Sequence, residues 1–190
     1  MTKKSTDRER LRALLLEKSF RYSADQSFQL TSGKKTAYYI DCKKVSLDPE
    51  GAYLIGNDIF HRVENLKAEG VGGMTLGADP IATSVSLVSY LNKQPIPAFI
   101  VRKEAKAHGS RQQVEGSLIS GARVVVVEDV VTTGGSTLRT IEALKREGYI
   151  VLKVIALVDR LEGGAERIIE TGTLFESLFC LDDFMEGLPK

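Results

Sequence analysis

The stretch VVVVEDVVTTGGSTL, residues 124–138, decides how the chain is read. Consecutive β-branched residues at 124–127 favour a strand. They are apolar at every position rather than at alternate ones, which marks a strand covered on both faces, as in the parallel sheet of an α/β domain. Leu138, Ile141 and Leu144 then recur at helical spacing, and Gly148 closes the helix. Between strand and helix lie two acids, Glu128 and Asp129, and the turn Thr132-Thr133-Gly134-Gly135-Ser136-Thr137. Ligands of open α/β sheets sit beyond the carboxyl ends of the strands, which is where the strand at 123–127 delivers this pair. Two glycines let the turn aim its N–H groups inward, four hydroxyls crowd it, and the helix N-terminus favours an anion. That is the outline of a phosphate site. The acids would repel a bare phosphate but accept hydrogen bonds from a sugar diol or hold a divalent cation, so a phosphorylated sugar fits both halves. No GxxxxGK[ST] and no GxGxxG after a first strand is found, which disfavours a Walker-A loop and a dinucleotide fold. A plain strand-end turn would explain Gly-Gly by itself, but not the valines, acids and hydroxyls together.

Working outward, the same alternation continues. Residues 71–76, 96–101, 150–158 and 174–181 read as strands. Ile81, Val85, Val88 and Leu91 mark a helix, as do Ala52, Ile55, Ile59, Val63 and Leu66 after the Asp48-Pro49 start signal, with Glu69-Gly70 as its stop. Strands alternating with helices imply right-handed βαβ units and a mostly parallel sheet flanked by helices. Upstream, Thr6 and Glu9 have capping-box spacing for a helix over 7–19. Residues 28–44 read as a strand pair or strand-and-loop outside the main core, with a Ser32-Gly33 turn and the β-prone Tyr38-Tyr39-Ile40. Residues 102–121 lack periodicity. A loop of that length in a compact domain suits a lid.

At 190 residues with 43% apolar and 27% charged residues, the chain is expected to form a single globular domain, 1–190. A net charge of +1 gives no global attraction for nucleic acid or an anionic membrane, so anion binding must be local. Cys42 and Cys180 form no CxxC pair and read as reduced thiols of a cytoplasmic protein. No segment is apolar over a length that suits a membrane span or a signal peptide.

The acid pair and its loop resemble the phosphoribosyl diphosphate (PRPP) motif of type I phosphoribosyltransferases. The resemblance implies that Glu128 and Asp129 hold the ribose hydroxyls and that Val130, Val131, Thr132, Thr133, Gly134, Gly135 and Ser136 grip the 5-phosphate. The lid string RKEAKAHG, residues 102–109, is similar to the catalytic loop of the orotate phosphoribosyltransferases, a more discriminating match. It concentrates Arg102, Lys103, Lys106, His108 and Arg111 against one acid, Glu104. Such charge suits a departing pyrophosphate, and a closing lid excludes water. The resemblance implies PRPP contacts from Arg102, Lys103, Lys106 and His108, with Lys106, His108 and Asp129 catalytic. It further implies a homodimer in which Lys103 and His108 serve the partner's site, and Mg²⁺ carried by PRPP with no direct protein ligand.

FQLTSGKKTAYYID, residues 28–41, resembles the segment that covers the base in that family, and LVDRLEGG, residues 157–164, its acceptor-binding strand end. This implies a base-covering hood of about residues 1–45 and a PRPP-binding core of about 46–190. Arg160 and Thr132 would bind orotate, a planar guanidinium suiting a carboxylate. The resemblance runs from about residue 20 to 164 and departs at two places. Some members carry a lysine where this chain has Thr31, and a Tyr-Lys pair where it has Leu76-Gly77. No role transfers to those side chains, although the backbone of residues 76–79 is expected to line the pyrophosphate. The expected reaction is transfer of phosphoribose from PRPP to orotate. The rivals are a purine or uracil phosphoribosyltransferase, disfavoured by the lid string and Arg160, and a non-catalytic PRPP sensor, which would not need the basic lid.

Overall fold

Alternate valines of the central strand face opposite sides of the sheet, and each set is buried in its own apolar layer. The computed structural model describes residues 3–25, 28–29, 35–104 and 112–185. In chain order the elements are α1 (Lys3–Leu14), β1 (Phe20–Tyr22), β2 (Phe28–Gln29), β3 (Lys35–Thr36), β4 (Tyr38–Ile40), α2 (Lys43–Ser46) and α3 (Pro49–Val63). They continue with β5 (Gly70–Met74), α4 (Ala78–Leu91), β6 (Ala98–Val101), β7 (Val114–Gly116) and β8 (Arg123–Val131). The chain closes with α5 (Gly135–Arg146), β9 (Ile150–Asp159), α6 (Gly164–Glu170), β10 (Leu174–Cys180) and α7 (Asp182–Met185).

The main sheet has six strands in the order β10-β9-β8-β5-β6-β7, parallel except for β7. Val125 and Val127 of β8, with Ile155 and Leu157 of β9, are buried with Leu11 and Leu14 of α1, Ile55 and Ile59 of α3, and Ile81 and Val85 of α4. Val124 and Val126, with Val154 and Ala156, are buried with Ile141 and Leu144 of α5 and Ile168 of α6. Two covered faces are what the unbroken valine run requires. The strand order reverses between β5 and β8, so a crevice opens there at the carboxyl ends.

The start of α3 agrees with its reading: Asp48 is the cap, its carboxylate accepting from the N–H groups of Glu50 and Gly51 at 3.0 and 3.1 Å. The helix ends at Val63, ahead of the Glu69-Gly70 stop, and Leu66 lies in the turn beyond it. Three other readings change more. The first helix begins at Lys3, so Thr6 lies inside it rather than capping it, and residues Leu15–Ser19 form a π-helical turn; neither glycine nor proline interrupts the turn before Thr6. The segment 102–121 is not structureless, because β7 pairs antiparallel with β6 and the Arg102 N–H donates to the Gln113 carbonyl at 2.9 Å. A three-residue strand shows no period of its own and is defined by its neighbour. Finally, β8 runs to Val131, four residues beyond the expected 127, with Val130 and Val131 paired to Val158 and Asp159. Glu128 and Asp129 therefore sit within a strand, not beyond it.

Outside the main sheet, β1 pairs with β4 and β2 with β3, both antiparallel. This segment is nevertheless tied to the core, since Phe20, Ile40, Cys42 and Val45 are buried in the layer that holds α1 and α3. Cys42 and Cys180 are both free thiols.

Ile155 is fully buried at the middle of β9, between β8 and β10. Ile155→Ala is expected to cost about 2–5 kcal/mol of stability, measured as a lowered urea midpoint.

Candidate active site

Strand geometry makes the two acids unlike. Adjacent strand residues point to opposite faces, so Glu128 follows Val124 and Val126 toward α5, whereas Asp129 follows Val125 and Val127 toward α4. Glu128 is buried at 6% exposure, and its Oε2 accepts from Ser136 Oγ at 2.8 Å and Thr137 Oγ1 at 3.2 Å. Burial, reinforced by the charge of Asp129 and opposed by the two hydroxyls, pushes its carboxyl up to about 8. The two carboxyl groups are close enough to interact, so a charge on Asp129 disfavours a second charge on Glu128. Asp129 Oδ1 accepts the N–H of Val130 at 2.9 Å, and Oδ2 lies 4.0 Å from Lys43 Nζ.

Pairing with β5 is recorded only as far as Val126, while pairing with β9 continues to Val131. The end of β8 is thus held from one side and faces the crevice on the other. Beyond it, Gly134 takes a left-handed conformation (φ 75°) that caps α5, and the Leu138 N–H donates to its carbonyl at 2.9 Å. Residues 132–134 form the turn; Gly135 and Ser136 already belong to α5, so the expected loop is shorter and its last residues are helical. Gly164, at the start of α6, supports this turn from the next strand connection. A Cβ there would fall 2.4 Å from the Thr132 carbonyl oxygen, so only glycine allows the approach. Arg167 of α6 donates to the Thr133 carbonyl.

Arg160 follows β9 immediately, its N–H donating to the Val131 carbonyl at 2.9 Å. It is 4% exposed, far from the surface residue that charge alone would suggest. Glu162 Oε1 lies 2.9 Å from its Nη2 but off the N–H direction, so among the described residues the buried Nε and Nη2 find no hydrogen-bond partner. The ring of Tyr38 packs 4.9 Å from the guanidinium carbon, a cation–π contact from β4. Thr132 lies in the turn beside the end of β8.

Arg102 and Lys103 follow β6, one strand beyond β5 from the acids, and line an open cleft of about 630 Å³ with Thr75, Ile100, Glu104 and Glu115. Arg102 pairs with Glu115 at 3.4 Å. Lys106, His108 and Arg111, like Thr31 of the base-covering segment, lie outside the described residues. Topology thus gathers the acid pair, the turn, Arg160 and the base of the lid at the carboxyl ends of β5, β6, β8 and β9. Sequence reading missed Tyr38 as the partner of Arg160, Lys43 near Asp129, and the support of the turn by Gly164 and Arg167. Only Gly163-Gly164 carried a local signal, a left-handed helix start (Gly163 φ 84°).

Comparison with known proteins agrees with this arrangement. Residues 76–178 match the family model of the phosphoribosyl transferase domain. The chain is 45% identical over 179 residues to orotate phosphoribosyltransferase of Aquifex aeolicus, covering 94% of this chain and 98% of that protein. It is 46% identical over 188 residues to the enzyme of the same name from Sorangium cellulosum, covering 97% and 96%. The crystal structure of Mycobacterium tuberculosis orotate phosphoribosyltransferase in complex with PRPP superposes with a TM-score of 0.77 at 35% identity, covering 94% of this chain and 98% of that one. The fold is that of a phosphoribosyltransferase, and the chain belongs to the orotate phosphoribosyltransferase family.

The elevated Glu128 carboxyl has a consequence for stability. Its folded value, about 8, lies above the ordinary 4.5, so the unfolded chain ionises first and stability falls as pH rises from about 5 to 8. In Glu128→Gln the amide oxygen still accepts from Ser136 and Thr137 and nothing titrates. The variant is expected to melt with the parent near pH 5 and about 5–10 °C above it at pH 8.5.

Proposed function

We infer that this site transfers the phosphoribosyl group of PRPP to orotate, giving orotidine 5′-phosphate and pyrophosphate, a step of pyrimidine nucleotide synthesis. The observation that carries the choice of acceptor is Arg160: a buried guanidinium packed by Tyr38 at the strand end next to the acid pair, with Glu162 beside Nη2 but no hydrogen bond to Nε or Nη2 among the described residues. An unpaired buried donor is costly, and a planar carboxylate meets it in bidentate fashion. Thr132, on the adjacent turn, reaches the same acceptor. Uracil and adenine have no carboxylate to offer.

The phosphate end is read the same way. The N–H groups and hydroxyls of residues 130–136 bind the 5-phosphate at the head of α5. Asp129 accepts from the ribose hydroxyls, and Glu128, its carboxyl pushed up by burial, completes the pair with less negative charge beside a phosphate. When the bond from C1 to the diphosphate breaks, positive charge develops on the ribose, and the carboxylate of Asp129 supports it. Orotate nitrogen bonds to that carbon and gives up its proton to pyrophosphate or solvent, while the electron pair of the broken C1–O bond leaves with pyrophosphate. Arg102, Lys103, Lys106 and His108 neutralise the leaving group, with Lys106 and His108 at the reacting end.

Mg²⁺ is the cofactor of this reading. It prefers six oxygens and keeps waters, so it would ride on the diphosphate and ribose hydroxyls of PRPP with no direct protein ligand. It supplies charge neutralisation there. The residues up to about 45 form the base-covering hood, supported by Tyr38 against Arg160, and residues 46–190 form the core. We place the protein in the cytoplasm as a homodimer in which Lys103 and His108 act across the interface. Exposed Leu87, Tyr90 and Leu91 at the end of α4 offer an apolar surface for the second copy. Among the described residues no helix is long and apolar enough to cross a membrane.

Purified protein with PRPP, Mg²⁺ and orotate is expected to consume orotate absorbance and release pyrophosphate in equal amounts, with no turnover of uracil or adenine. PRPP binding without turnover would instead identify a sensor. Arg160→Ala is expected to raise the KM for orotate about 10–100-fold, with a far smaller change for PRPP. Mixing inactive Lys103→Ala and Asp129→Asn chains should recover activity that neither has alone, and no recovery would refute trans action.

A further inference from the structure

The Asp129 side chain lies between two groups to which the site described so far gives no part. On one side is Gly77, in the connection from β5 to α4: a Cβ there would sit 2.3–2.5 Å from the carboxyl atoms of Asp129. Any side chain at 77 would collide with the acid, and the connection carries no basic residue between Met74 and Pro80. On the other side is Lys43, the first residue of α2, whose Nζ lies 4.0 Å from Asp129 Oδ2 and 2.8 Å from Asp41 Oδ1.

Lys43 is not a loosely placed surface lysine. Its backbone is fixed by buried neighbours, Ile40, Cys42 and Val45, and by the Asp41 N–H donating to the Ser19 carbonyl at 3.1 Å. Its ammonium remains accessible, with the side chain 45% exposed. Contact with Asp41 and the charge of Asp129 hold it protonated, raising its pKa against the effect of burial. The segment that brings Tyr38 onto Arg160 thus also brings a cation to the ribose acid.

We propose that Lys43 is a positioning residue for the PRPP half of the reaction: from the N-terminal segment it holds Asp129 against Gly77 in the orientation that receives the ribose diol. It supplies, across the crevice, the positive charge that the β5–α4 connection lacks. The proposal rests on the PRPP reading above. It distinguishes Lys43 from Tyr38, which lies on the same segment but serves the acceptor.

The test is steady-state kinetics of the full chain, with PRPP varied at saturating orotate and the reverse, alongside calorimetric titration of PRPP with Mg²⁺. Lys43→Met is expected to raise the KM and dissociation constant for PRPP about tenfold while the KM for orotate moves less than about twofold, and Lys43→Arg should restore most of the loss. Asp41→Asn, which removes the other partner of Lys43, is expected to leave PRPP affinity within about twofold of the parent. Unchanged PRPP constants in Lys43→Met would overturn the proposal. So would equal damage to both substrates in Lys43→Met and Asp41→Asn, the signature of a segment that has merely come loose. If the parent binds PRPP but does not turn over orotate, the acceptor reading fails while the titration still decides Lys43. If the parent does not bind PRPP, both fall.

Discussion

The site depends on one constraint: consecutive residues of a β-strand point to opposite faces. Because β8 continues through Glu128 and Asp129 to Val131, the acids set out toward different faces and meet different neighbours, although their carboxyl groups stay close enough to interact. Glu128 goes under α5, where burial and the charge of Asp129 push its carboxyl up against the opposing effect of two hydroxyls. Asp129 goes to the crevice side, where Lys43 and Gly77 bound it. Two charged carboxylates beside a phosphate turn would be mutually repulsive.

The second constraint is the strand order. With β8 at the reversal point, the carboxyl ends of β5, β6, β8 and β9 converge on one crevice. The turn that heads α5 is then supported by α6 through Gly164 and Arg167. The N-terminal segment completes the site from outside the sheet: Tyr38 orients Arg160 and Lys43 faces Asp129, while Phe20, Ile40 and Val45 anchor that segment in the α1 and α3 layer. Arg160 and Asp129 are therefore both tied to one short stretch of chain.

Much of this was legible from residue order. The valine run and the helical stripes gave the mostly parallel sheet, because burial on two faces leaves no polar position in the strand. The acid pair with its hydroxyl-rich turn, the basic string at 102–109 and Arg160 marked the site, and the comparisons place the chain in the family those residues resemble. Less legible were elements whose existence depends on a neighbour. β7 is three residues long and exists through its pairing with β6, and the last four residues of β8 are set by pairing with β9. Thr6 and Glu9 had capping spacing, yet the helix started earlier because spacing alone does not stop a turn from propagating.

The sequence by itself determined which chemical groups are present and their local geometry: a covered strand, two acids, a left-handed glycine turn, a helix start and a guanidinium at a strand end. Those follow from short-range sterics and periodicity. Only the tertiary structure decided how the acids differ, that Arg160 is buried with Nε and Nη2 making no hydrogen bond among the described residues, and that Lys43 and Tyr38 reach the site from a segment distant in the chain. Burial and charge proximity are properties of packed neighbours, and no local pattern in residues 38–43 specifies which strand end they will meet.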